Sequence, residues 1–319
     1  MGLASKLRIR IALPRDISIV LYHHVSDDNG PLVKQLVLRT DPDVFEQHVK
    51  FYAKNYDFIG PDELNSGRWP KKSLLITFDD AYRSVISVAG PILKNFRAPS
   101  IFFINSATVC GDTLPIDNIL SAAAESLGLE AVLQTLPPAD LRLRSVPEVI
   151  TKVLPAMSLA EITAAKHRLC AAMETTVEEL RNSSKLFLNE ADLPKLRDVG
   201  VEVANHTTSH VFLRSRTPGE LEAEISANRF ALERLTGRPV RYFSVPYGDV
   251  RDATPAVQDV ARKSGHRGIF LVLARSNYFR PAPDIFYRIS PGNAKLRNLA
   301  RELFPLPLFR SARDMLGVH

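Results

Sequence analysis

Cysteine is scarce in this sequence. Only Cys110 and Cys170 occur in 319 residues. Two distant thiols make no disulfide framework, and they read as the reduced cysteines of a cytoplasmic protein. Long apolar runs are missing too: nothing approaches the roughly 20 consecutive residues that a membrane-spanning helix needs. The opening segment MGLASKLRIRIALPRD carries positive charge but no apolar stretch long enough for a signal peptide. No basic run is interleaved with aromatics and no nucleic-acid motif appears, so nucleic acid is not an expected partner. Repeats and low-complexity tracts are absent. What remains is an ordinary globular composition, 45% hydrophobic and 24% charged, sufficient for one large domain or two small ones. A net charge of +6 and a pI near 9.3 suit an anionic substrate, a phosphate-bearing carrier or an acidic membrane face. The expected location is cytoplasmic, with room for a peripheral contact at the inner face of the membrane.

The most informative stretch is Leu74-Leu75-Ile76-Thr77-Phe78-Asp79-Asp80. An apolar run of this kind reads as a buried strand, and it ends in two adjacent carboxylates. Buried carboxylates are costly unless they are paired or bind a cation, and two side by side repel each other. The end of a strand in a parallel α/β fold is where loops converge and such groups are used. The competing reading is that the pair caps a helix beginning near Ala81.

Around this stretch the chain alternates strands and helices. Residues 1–16 form a basic arm, and Ile17–Tyr22 is a strand rich in β-branched residues that ends at His23 and His24. A helix starts at Asp43, with Phe45, Val49 and Tyr52 on one face and Glu46 completing a capping box. Further helices are expected over 81–96, 189–199, 217–235 and 255–264. Further strands are expected at 100–104, 201–204, 240–245, 268–273 and 286–289. From about 110 to 185 the strand signal stops, and Ala, Leu and Glu recur with helical spacing, punctuated by Pro137, Pro138 and Pro155. The expected fold is α/β: a distorted, incomplete (β/α) barrel over 17–292 with an inserted helical subdomain at about 110–185. A basic, apolar tail fills 293–319, suited either to packing on the barrel or to resting on an anionic bilayer.

His206 and His210 follow the strand at 201–204 with i, i+4 spacing, which aims both rings at one metal when the intervening turn is helical. With Asp80 from another strand end they offer one carboxylate and two imidazoles. That donor set suits a catalytic divalent metal with open positions: Zn, with Co, Mn, Ni or Fe as alternatives. Two surface histidines at a helix start is the plain alternative.

The order of TFDD at 77–80, H-T-x-x-H at 206–210 and F-x-x-P-Y-G at 243–248 resembles the polysaccharide deacetylase family. Tyr22-His23-His24-Val25 and Tyr287-Arg288-Ile289 add to the likeness. The resemblance covers roughly 17–110 and 186–292. It implies removal of acetyl groups from N- or O-acetylated sugars by a metal-dependent hydrolase with an incomplete (β/α) barrel fold. Carried onto matching positions, it implies that Asp79 is the general base and that Asp80, His206 and His210 are the metal ligands. The Tyr247 backbone N–H would help to hold the developing oxyanion. A metal so held lowers the pKa of bound water and polarises the acetyl carbonyl.

Four departures stand out. Ala81 replaces a common Gly. Ser244 stands where many members carry an Arg that orients the base. The usual late L-x-H, whose His is the general acid, is missing, as is D-x-x-D-W. His24 is the preferred substitute for the acid, because strand one ends on the same rim, with His23, His266 or the metal-bound water acting alone as alternatives. The expected partner is an acetylated carbohydrate, free or linked to a carrier. Other readings compatible with these residues are a deformylase or amide hydrolase on a lipid-linked sugar, a degenerate glycan-binding member, and a structural barrel whose histidines stand apart.

Overall fold

The computed structural model describes residues 16–137 and 142–303. The apolar run before the two carboxylates lies in a strand, Lys72–Phe78, that is buried from Ser73 onward. Burial on both faces is the signature of an interior strand in a parallel sheet, and the topology agrees. Taking the barrel strands in chain order, β1 is Asp16–Tyr22, β2 Lys72–Phe78, β3 Ser100–Ile104, β4 Val201–Asn205, β5 Tyr242–Ser244, β6 Gly268–Val272 and β7 Ile285–Arg288. They pair side by side in that order, every pair parallel. A parallel bridge joins Val20 to Ile289, where Leu21 N–H donates to Ile289 O at 2.8 Å and Ile289 N–H donates to Ile19 O at 2.9 Å. The sheet thus closes almost completely on itself. Between β4 and β5 only Asn205 and Phe243 are in register, which is the distortion in the ring. The distorted (β/α) barrel expected from the sequence is the observed fold.

Alternation along the strands sorts the side chains. Ile17, Ile19, Leu75, Ile101, Phe103 and Phe270 fill the barrel interior, while their neighbours Val20, Tyr22, Leu74, Ile76 and Phe102 meet the outer helices. Helix α1, Pro42–Asn55, buries Phe45, Val49 and Tyr52 as its spacing predicts, although it begins one residue before Asp43, with Asp41 as its N-cap. The continuous helix expected over 81–96 is not formed. Asp80 and Ala81 have left-handed backbones, and helical structure starts only with a π-turn at Val85–Ala89 that runs into Gly90–Asn95, where Pro91 sits harmlessly in the first turn.

Between β3 and β4 the described chain forms helices joined by loops, with a single antiparallel bridge from Phe187 to Tyr82. Its longest pieces are α2, Ile116–Leu127, and α3, Leu159–Ala172. Their apolar faces, with Ile119, Leu120 and Leu169, share one cluster with Phe243, Val245 and Ile269 of the barrel. Downstream come α4, Leu193–Asp198, α5, Ala227–Thr236, and α6, Pro255–Lys263. Helix α5 extends a turn at Pro218–Leu221 through a π-segment at Glu222–Ser226, so the expected 217–235 helix is continuous but locally widened. Helix α7, Leu296–Leu303, lays Leu299 and Leu303 into the cluster that holds Phe45 and Val49 of α1. The described part of the tail therefore packs on the barrel. The basic arm, apart from Asp16, and the tail beyond 303 lie outside the described residues. Among the described residues no helix is long and apolar enough to cross a membrane.

Candidate active site

Parallel strands all present their C-terminal ends on one rim. Asp79 and Asp80 follow β2, His206 follows β4, Tyr247 follows β5 and His23 follows β1. Asp80 Oδ1 lies 3.2 Å from Nε2 of His206 and 3.2 Å from Nε2 of His210, and all three residues are buried. The sequence expectation that these side chains meet is therefore met in space. The expected helical turn between the histidines is not. Residues 206–210 form a bent loop in which Thr207 and His210 have φ of 66° and 57°, and Thr207 Oγ1 accepts from His210 N–H at 3.1 Å.

This loop is held from beneath by amides. Asn205 Oδ1 accepts from Thr207 N–H at 2.9 Å and from Asn228 Nδ2 at 2.6 Å. Asn105 Nδ2 donates to the carbonyls of His206 and Thr207. His266 sits below the same loop rather than on the rim. Its Nδ1 is 3.0 Å from Ala261 O and its Nε2 is 3.0 Å from Asn205 Nδ2. Burial holds its pKa down at about 4, so this ring stays neutral and serves the loop.

The chemistry of the donor set favours a cation. His206 Nδ1 lies 2.9 Å from Ser244 O, and a carbonyl partner requires the proton on Nδ1. Burial lowers the His206 pKa, but the carboxylates of Asp79 and Asp80 outweigh it and raise it, so Nε2 calls for a positive partner, a proton or a metal; left bare, its lone pair faces Asp80 Oδ1, an acceptor facing an acceptor. Asp80 Oδ1 is also a buried oxygen without a hydrogen-bond partner. A positive centre between them removes the conflict. One ligand atom from each of Asp80, His206 and His210 lies within 4.8 Å of the others, so these residues fit a divalent metal.

Asp79 is in a different environment. Arg288 reaches from β7 through the barrel interior and donates Nη1 to Asp79 Oδ1 at 2.7 Å and Nη2 to Oδ2 at 2.8 Å. Ser244 Oγ donates to Asp79 Oδ2 at 3.3 Å and accepts from Arg288 Nη2 at 2.6 Å. Burial works against ionising Asp79, but Arg288 and His206 outweigh it and hold the carboxyl below its ordinary range. The guanidinium of Arg288, wholly buried, lies over the Phe103 ring at 5.1 Å. The arginine missing at Ser244 is thus supplied by another strand. Its sequence signal was an arginine inside an apolar strand, Phe286-Tyr287-Arg288-Ile289, a placement that demands a buried anion.

The two neighbouring histidines divide. His24 turns away, with Nδ1 3.0 Å from Ser84 Oγ and its ring 5.1 Å from that of Tyr82; burial lowers its pKa to about 4. His23 is half-buried and faces the rim. Burial depresses its pKa, and the next influences on it are the carboxylates of Asp80 and Asp79, then Arg288 and His206. Leu21-Tyr22-His23 also spells the L-x-H pattern that is absent late in the chain.

Tyr247 has φ of 62°, and its ring stacks on Phe212 at 3.7 Å and lies 4.8 Å from that of His210. Among the described residues its N–H donates to no protein acceptor. Gly248 explains how this loop comes so near β6: with φ of 72°, a Cβ there would stand 2.5 Å from Val272 Cβ and 2.7 Å from its backbone nitrogen. Asp117 on α2 carries no motif that marks it. Its Oδ1 accepts from Tyr247 Oη at 3.1 Å, and its Oδ2 is 3.6 Å from His210 Nδ1. Burial, reinforced by the charge of Asp80, raises its pKa to about 7.

A nearly closed parallel barrel with two carboxylates and two imidazoles on its C-terminal rim is a recognised type of hydrolase scaffold. Residues 140–269 match the family model "Polysaccharide deacetylase", and the resemblance of this chain to that family holds. The match takes in the HTTSH and PYG segments, while TFDD lies before it. The chain is 31% identical over 102 residues to the polysaccharide deacetylase homologue YxkH of Bacillus subtilis, a match covering 30% of this chain. It spans about a third of the length of that curated relative, 34%. Among solved structures it is similar to the Streptococcus pyogenes deacetylase PplD in complex with acetate, with a TM-score of 0.61, 16% identity, and coverage of 92% of this chain and 100% of that one. It is also similar to a de-N-acetylase from Aggregatibacter actinomycetemcomitans, with a TM-score of 0.59, 16% identity, and coverage of 90% and 100%. These likenesses establish the fold.

Proposed function

We propose that this chain is a metal-dependent carbohydrate deacetylase, a hydrolase that removes an acetyl group from an N- or O-acetylated sugar. The observation that carries the reading is the convergence of Asp80 Oδ1 on His206 Nε2 and His210 Nε2, each at 3.2 Å, beside a separately anchored Asp79. Asp80, His206 and His210 would hold a divalent ion, Zn by their donor types, and such an ion supplies Lewis-acid polarisation to an acyl oxygen and acidity to water.

The remaining work falls to the chain. Asp79 takes the proton from the attacking water. Arg288 and Ser244 use part of its acceptor capacity and fix its plane, leaving lone pairs toward the rim. The Tyr247 N–H, uncommitted among the described residues, donates to the oxygen that becomes negative as the tetrahedral centre forms. His23 gives a proton to the leaving nitrogen or oxygen. Its position facing both carboxylates supports this role over His24, which is bonded to Ser84.

The degenerate, merely binding reading rested on a missing arginine and a missing histidine. Arg288 and His23 weaken both grounds. A deformylase on a lipid-linked sugar would use the same groups and differ only in the acyl fragment released. The basic surface favours a phosphate-bearing carrier, and the location that fits the two free thiols is the cytoplasm.

The test combines metal analysis with acetate release from N-acetylglucosamine oligosaccharides. Asp79→Asn is expected to keep one metal per chain and lose acetate release, and His206→Ala to lose both. Undiminished acetate release by Asp79→Asn, or purified protein that binds no divalent metal, overturns the proposal.

A further inference from the structure

At the other end of the barrel, where the strands begin, lies a cleft of about 830 Å³. Arg197 of α4, Arg229 of α5, Arg238 and Arg241 before β5, and Arg267 before β6 line it, together with Asp62, Asp198 and Glu202. Its floor includes Val201 and Val203 at the start of β4. Five strand residues at about 3.3 Å each put it roughly 15 Å from the rim that carries His206. Every cationic residue lining it is an arginine, and none is a lysine.

The ion pairs here are unevenly spent. Arg241 takes both Glu202, Nη2 to Oε2 at 2.6 Å, and Asp62, Nη1 to Oδ1 at 2.5 Å. Arg229 is anchored only through Nε, 3.0 Å from Glu233 Oε1. Its terminal nitrogens lie over Gly265, where a Cβ would come within 2.3 Å of Nη1. Arg197, Arg238 and Arg267 are exposed and, among the described residues, form no ion pair. Asp198 is the single lining carboxylate left to balance them. Planar guanidinium forks suit bidentate recognition of phosphate oxygens, and the volume is that of a small-molecule site.

We propose that this cleft is a second binding site, remote from the deacetylase rim, for a ligand carrying two linked phosphates. One isolated anion satisfies only one or two forks, whereas the uncommitted guanidinium groups come from four separate segments. A diphosphate, free or at the head of a lipid, spans them. The proposal does not depend on the chemistry at the rim.

Calorimetric titration of the full chain with inorganic pyrophosphate at low salt tests it. Saturable binding is expected. Arg238→Ala with Arg267→Ala, both on exposed side chains, should weaken it about tenfold or more, the scale of one lost charge-assisted pair. A control that removes Lys34 and Lys152, which pair with Glu125 and Glu148 and do not line the cleft, should leave it unchanged. Competition by phosphatidylcholine vesicles containing a prenyl diphosphate, and not by vesicles containing only the monophosphate lipid phosphatidylglycerol, assigns the ligand to diphosphate lipid headgroups; lack of competition by either assigns it to a free diphosphate. Absence of saturable binding by the unaltered chain, or an equal loss in the lysine control, overturns the site.

Discussion

The guanidinium of Arg288 and the carboxylate of Asp79 face each other through two parallel hydrogen bonds, 2.7 and 2.8 Å long, inside a closed barrel. Asp79 follows β2 and Arg288 ends β7, far apart in the chain, and the near-closure of the sheet brings them together. Ser244 is 2.6 Å from the same guanidinium, so a guanidinium borne by position 244 would enter the same space. Arg288→Ser is expected to lower kcat about a hundredfold, the cost of a base misplaced by an ångström, with metal content unchanged. Adding Ser244→Arg to it should recover part of that loss. Steady-state kinetics of the single and double variants check this. A single variant with undiminished kcat denies Arg288 any part in positioning the base.

Most of the architecture was legible because strand and helix periods are local signals. Leu74–Phe78, Ser100–Ile104 and the α1 face at Phe45, Val49 and Tyr52 all lie where their patterns put them. The helix expected over 81–96 was not formed as drawn, because Asp80 and Ala81 adopt left-handed backbones, which residue type does not announce outside glycine. The joint use of Asp80, His206 and His210 was readable from strand-end placement. Arg288 announced a buried anion but not which one, since only the nearly closed sheet brings Asp79 to it, and Asp117 was not readable, since it acts across a distance that only the packed α2 defines. His23 and His24 were adjacent candidates, and strand alternation, which sends neighbours to opposite sides, separates them.

That alternation gives a second expectation. His23→Gln should reduce kcat about a hundredfold or more, as loss of a positioned proton donor does. His24→Gln should leave kcat within a few-fold of the unaltered enzyme and act mainly on thermal stability through its contact with Ser84, Nδ1 to Oγ at 3.0 Å. Acetate-release rates and melting curves of the two variants distinguish the cases. The reverse pattern returns the proton-donor role to His24.

Stability should fall in mild acid, partly through His266. The folded ring has a pKa lowered by burial to about 4, against an ordinary value near 6.5. A histidine depressed in this way contributes fully above its unfolded pKa. As pH drops from about 6.5 to 4 the unfolded chain gains a proton that the folded chain refuses. At about 1.4 kcal/mol per pH unit, the loss reaches about 3 kcal/mol at pH 4. Denaturant midpoints across this range, compared with His266→Gln, should converge as pH falls. Parallel curves would mean that other groups carry the acid sensitivity.

Asp117 ties the helices between β3 and β4 to the proposed metal ligands. Its Oδ2 is 3.6 Å from His210 Nδ1, and its Oδ1 takes the hydroxyl of Tyr247 at 3.1 Å. With Nε2 of His210 directed at Asp80, the proton belongs on Nδ1, a buried nitrogen without a hydrogen-bond partner, and the Asp117 carboxylate stands 3.6 Å from it, a short shift from accepting it. Carboxylates behind ligating histidines fix the ring and raise its basicity, and their loss costs about 10–100-fold in metal affinity. Asp117→Asn preserves size and an acceptor for Tyr247 but removes the charge. It should therefore weaken zinc binding by about that factor in chelator competition, while melting of the metal-stripped protein stays close to that of the unaltered chain. Activity should return when zinc is raised to saturation, because Asp117 touches neither substrate nor the attacking water in this scheme. An unchanged zinc affinity would leave α2 a packing element only, and its contact with Tyr247 would then be the sole way it reaches the site.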